Sequence, residues 1–190
     1  MFLELQYTSI IAVESCHNGA GAPPLLGCPA DILLPILEDL TAKDLHSMCL
    51  VCRDLHAIAQ PVLYSSIHWT WTGDGYPPVH LLLGTILLRP DLANHTRTLV
   101  LAGTRPDRKG SRLLPMKMSV PEASLAGPIE FVKGINVPHG DDWIRALQNG
   151  ELGVFVAVLL AQLPNLESLE MVPDFSGDAL FLGLLFRSAL

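Results

Sequence analysis

No apolar run in this chain is long enough to cross a bilayer as a helix. The longest, Val154 to Ala161, falls well short of the ~20 residues a spanning helix needs, so no membrane partner is expected. Positive charge is scarce too. Twelve Lys+Arg stand against 19 Asp+Glu, for a net charge of −7. Phosphate backbones are held by a positive field, so nucleic acid is not an expected partner. The start of the chain, Met1 to Val13, is apolar, but Glu4 interrupts it and no lysine or arginine precedes it, which argues against a secretory signal. Cysteine is sparse: Cys16, Cys28, Cys49 and Cys52 are the whole set. That is the pattern of reduced, intracellular thiols rather than of a disulfide framework. The motifs of common chemistry are missing as well. There is no G-x-S-x-G, no H-E-x-x-H, no P-loop, and no G-x-G-x-x-G in a strand–turn–helix setting. No acid–base pair can be named, so neither an enzyme nor a bound cofactor or metal is expected.

What the chain has in quantity is apolar surface. Its residues are 49% hydrophobic and its mean hydropathy is +0.37. Such richness points to apolar faces meant for partners, or to a fold whose remaining part would cover them. At 190 residues the length fits one ordinary domain, or a small domain with part of another.

The most ordered signal runs from Cys28 to Ile67. Ile32, Leu33, Ile36, Leu37 and Leu40 fall on one face of a helix. Pro29 suits a first turn, where its missing N–H costs nothing, and Asp31 favours the positive end of the helix dipole. Thr41-Ala42-Lys43-Asp44 has the form of a capping box. Leu45, Met48, Cys52, Leu55 and Ala59 continue at helical spacing, and Pro61 is expected to stop that run. Pro35 is expected to kink the first helix or to force a late start.

These residues resemble an F-box. Cys28-Pro29-Ala30-Asp31-Ile32-Leu33, then Ile36-Leu37 and Leu40, then Leu50-Val51-Cys52-Arg53, then Pro61-Val62-Leu63-Tyr64 with Ile67, look like the F-box of filamentous-fungal proteins. Cys28 departs from that pattern, in which leucine is usual before the proline. The resemblance implies a three-helix F-box over 26–67, docking on a Skp-family adaptor and through it on a cullin. A client protein, not identifiable from sequence, would be recruited for ubiquitination in the cytoplasm or nucleus. The implied adaptor-binding residues are Cys28, Pro29, Ile32, Leu33, Ile36, Leu50, Val51 and Leu55. Periodicity alone does not divide them between docking surface and the internal core of the helices.

Before this stretch, residues 1–25 read as an extension ending in a linker, Asn18 to Pro24, with glycine and paired proline as punctuation. After it, Ile67, Trp69 and Trp71 alternate with His68, Thr70 and Thr72, as in a strand with one buried aromatic face. A leucine-dense helix over Val79 to Leu88 follows, then a short strand at Thr98 to Leu101. The same order recurs: a helical stripe of Leu152, Phe155, Val156, Leu159, Leu160 and Leu163, a break at Pro164-Asn165, and alternating apolar positions from Leu166 to Met171. Leu99 and Leu101 correspond to Leu169 and Met171. A third helix begins near Asp178, and no strand follows it before Leu190. The expected fold is therefore mainly α with some β: an F-box, then helix–strand units over 68–190. Those units look like irregular leucine-rich repeats, cut short, since repeats of this kind need neighbours to bury their faces.

Two features fall outside that scheme. Residues 103–140 hold Pro106, Pro115, Pro121, Pro128 and Pro138, with Arg105, Arg108, Lys109, Arg112 and Lys117. They read as a long solvated loop, or as a contact for an acidic or phosphorylated client; Asp141 to Leu147 then reads as a short amphipathic helix starting on acidic residues. Cys49-Leu50-Val51-Cys52 with His56 suggests a zinc or redox site. A structural zinc wants four ligands, however, and no second pair stands at finger spacing. A scaffold working outside a ligase is a further reading of the same F-box.

Overall fold

The computed structural model describes residues 25, 27–72, 78–104, 117–135, 137–171 and 179–188. It is mostly helical with a small three-stranded sheet, as the sequence predicts. The chain divides into two units between Ser66 and Ile67. Among the described residues no helix is long and apolar enough to cross a membrane.

The first unit contains α1 (Ala30–Glu38), α2 (Ala42–Cys49) and α3 (Arg53–Ser65). Pro29 is the N-cap of α1, and its carbonyl accepts from the N–H groups of Ile32 and Leu33, both at 3.0 Å. Thr41 caps α2. Its hydroxyl accepts from the Asp44 N–H at 3.3 Å and donates to the Asp44 carboxylate at 2.6 Å. A full capping box would return a bond to the Thr41 N–H; the short aspartate closes on the hydroxyl instead.

Neither interior proline delays or ends its helix. α1 begins at Ala30, not after Pro35, and runs through that residue. α3 likewise runs through Pro61 to Ser65, so Pro61 does not end it. A proline inside a helix removes one donor and crowds one carbonyl. Here packing outweighs that local loss: Ala59 is fully buried, and Val62 and Leu63 pack on the core beyond the proline. The core itself is Leu33, Leu37, Leu45, Cys49 and Ala59.

The second unit takes up β1 (Ser66–Thr72), which follows α3 with no intervening residue. Ile67 and Trp69 are half-buried and His68 and Thr70 exposed, the alternation a strand requires; the Trp71 side chain lies outside the described residues. Then come α4 (Val79–Leu88), the short α5 (Pro90–Ala93), β2 (Thr98–Thr104), α6 (Ala126–Gly134), α7 (Gly140–Gln148), α8 (Leu152–Ala161), β3 (Ser168–Met171) and α9 (Ala179–Ser188).

The sheet order is β1-β2-β3. β2 and β3 pair in parallel, with Leu99 opposite Leu169 and Leu101 opposite Met171. The two sequence copies are thus laid side by side in register. Their approaches match as well. Arg97 pairs with Glu167, and the Asn165 side-chain amide donates to the Asn94 carbonyl at 2.8 Å.

α8 is not the one-sided stripe its leucines suggest. Every residue from Leu152 to Leu159 is buried, because α4, α6, α7 and α9 all pack against it. The presence of α6 corrects the reading of 103–140 as one loop, whereas α7 is the helix expected from Asp141 to Leu147. Pro128 sits in the first turn of α6, where a missing N–H costs no helical bond, and Pro128 and Val132 are buried. α7 starts on Asp141 and Asp142 and buries Trp143, Ala146 and Leu147. It ends in a Schellman motif: the Gly150 N–H donates to the Leu147 carbonyl and the Glu151 N–H to the Ala146 carbonyl, each at 3.0 Å. Gly150 has φ +70°, and a Cβ there would lie 2.2 Å from the Met118 carbonyl oxygen, so only glycine fits.

Candidate docking surface

The three helices of the first unit use part of their apolar surface and leave part bare. On α1 the wide stripe divides in two. Leu33 and Leu37 turn inward, at 3% and 1% exposure, while Ile32 and Ile36, one residue before each, remain 54% and 45% exposed. One residue is 100° of helix rotation, enough to carry a side chain from core to rim. Pro29 is exposed and Cys28 half-buried just ahead of this ridge. Leu34, which periodicity does not single out, is 42% exposed.

The turn between α2 and α3 holds the most exposed apolar pair of the unit, Leu50 at 61% and Val51 at 64%. Their backbones are fixed: the Leu50 N–H donates to the Ser47 carbonyl and the Val51 N–H to the Met48 carbonyl. Two aliphatic side chains are therefore held out in water by an ordered turn. Burying a half-exposed aliphatic side chain against a partner stabilises by about 1 kcal/mol, so this surface gains from being covered.

Two of the eight expected docking residues do not belong to it. Leu33 and Leu55, at 3% and 8% exposure, are interior. Their spacing is right for a helix face, but that face is the one the other helices already occupy. Cys28, Pro29, Ile32, Ile36, Leu50 and Val51 retain some or much of their surface.

The cysteine–histidine cluster has another use. His56 Nδ1 lies 3.1 Å from the Cys49 carbonyl oxygen, so its N–H can donate to the last turn of α2. Cys49 and Cys28 are free, and burial pushes the Cys49 thiol up from its usual pKa, away from the reactive thiolate. Cys52 is buried at 3% exposure, in keeping with the way cysteine often packs as a small apolar residue. Among the described residues no group of three potential ligands is placed to hold a metal ion. In the second unit a small crevice is lined by Phe131, Val137, Trp143, Val158 and Leu184 among other apolar residues, and offers no ionisable group for acid–base chemistry. Of the basic cluster, Arg105, Arg108, Lys109 and Arg112 lie outside the described residues. Lys117 forms an antiparallel bridge with Glu151.

The first unit is a small three-helix module with an apolar ridge and an apolar turn left open. Residues 29–68 match the F-box-like family, so the chain carries an F-box-like domain over the stretch that builds this surface. Neither a curated protein nor a solved structure matches the chain.

Proposed function

We propose that the protein is the substrate-recognition subunit of an SCF-type cullin–RING ubiquitin ligase, of the filamentous-fungal F-box kind. The F-box-like domain, 26–67 with its approach, docks on a Skp-family adaptor and through it on a cullin. The second unit, built of leucine-rich-repeat-like helix–strand pairs, recruits a protein client. The observation that carries this reading is the coincidence of the F-box-like match at 29–68 with exposed Ile32, Ile36, Leu50 and Val51. Cys28 and Pro29 complete the docking set.

The protein's contribution to ubiquitin transfer is positional. Holding a client beside a charged enzyme raises effective concentration without supplying a reacting group. No cofactor is required for that, and the setting is the cytoplasm or nucleus.

Ile32→Asp and Val51→Asp test the docking surface. Both positions are more than half exposed, so the helices should keep their circular dichroism. A carboxylate buried in an apolar contact is expensive, so co-purification with the adaptor should be lost. Full adaptor capture by both variants would sink the reading. Capture of adaptor without cullin would instead assign the protein to a scaffold outside the ligase.

A further inference from the structure

The sheet of the second unit ends on β3. Its order is β1-β2-β3, and among the described residues no strand stands beyond β3. An edge strand leaves a row of backbone N–H and C=O groups open to another extended segment. The side chains carry the same message. Leu99 and Leu101 of β2 are fully buried, while their register partners Leu169 and Met171 on β3 are only half-buried. Equivalent positions are covered in the inner strand and partly bare in the outer one.

α4 precedes β2, α8 precedes β3, and α9 packs on α8. α9 leaves Leu180 66% exposed. Between Leu169 and Met171 stands Glu170, exposed and opposite Val100. An incoming strand therefore meets apolar side chains at alternate positions and a carboxylate between them.

We propose that the outer edge of β3 is the client-binding edge of this protein. It takes an extended peptide as an added strand, with apolar residues continuing the row of Leu169 and Met171 and a lysine or arginine beside Glu170. The inference rests on the client-recruiting role proposed above and gives that client a chemistry. In strand addition the main chain supplies affinity and alternate side chains supply selectivity.

The test uses the full chain and a short fluorescein-labelled peptide of alternating leucine and lysine, read by fluorescence anisotropy. Saturable binding is expected, with none for a version carrying proline at alternate positions, which cannot join a ladder. Glu170→Lys should weaken the leucine–lysine peptide about three- to fivefold and strengthen a leucine–glutamate peptide by a similar factor. A damaged fold would not produce that exchange. Absence of saturable binding, or indifference of both peptides to the Glu170→Lys change, would overturn the proposal. So would self-association of the chain in sedimentation that Glu170→Lys abolishes, because the edge would then belong to a second copy. Adaptor capture separates the two readings. A chain that captures adaptor but ignores the peptide loses this inference alone; one that binds peptide but no adaptor loses the ligase.

Discussion

His80 carries its Nδ1 shielded from water and without a hydrogen-bond partner among the described residues. Burial lowers its pKa from the usual 6.5, because the protonated ring loses hydration that nothing replaces. The unfolded chain then takes up the proton first as pH falls. The stabilisation from neutral His80 is complete above pH 6.5 and is lost as pH drops through the folded value. Urea midpoints should therefore fall between pH 8 and pH 5, and His80→Gln should flatten that slope; an unchanged slope would assign the pH dependence elsewhere. The residue scale is also where sequence reading is least able to resolve. Ile32 and Leu33 are adjacent, both aliphatic and both on the same broad stripe, yet one is bare and the other core. The difference is set by where α3 lies against α1, which periodicity does not contain. The same holds for Leu55, whose spacing marked a helix face but not which face.

At the scale of elements, local chemistry was legible wherever the deciding contacts are themselves local. Thr41 with Asp44 announces the start of α2, and the hydroxyl bonds are there. Losing an N-cap costs about 1 kcal/mol, so Thr41→Ala should lower unfolding stability by that amount without altering native helix content. A denaturant titration followed by circular dichroism checks this, and equal stability of the two proteins would show the cap to be idle. The prolines misled for the complementary reason. Pro61 is a strong local stop, but its cost is one lost bond and some crowding. The packing of Ala59, Val62 and Leu63 on either side of it is a tertiary gain that sequence spacing does not weigh. α6 was hidden by proline in the same way: Pro128 reads as a breaker until the helix is known to begin just before it.

At the scale of the molecule, the correspondence of Leu99 and Leu101 with Leu169 and Met171 was readable in advance, and the parallel register realises it. What could not be read was α6, and that it and α7 pack into the same core as α4 and α8. A repeat protein built only of stacked units loses stability in instalments when trimmed, since each unit touches its neighbours alone. α8 removes that option here. With no residue from Leu152 to Leu159 facing water, it depends at once on helices before it, between the copies and after it. The second unit therefore has no seam along which it could be shortened. Removing α9 should abolish the sigmoidal thermal transition of this unit instead of lowering its midpoint, and a cooperative melt in the shortened chain would contradict that.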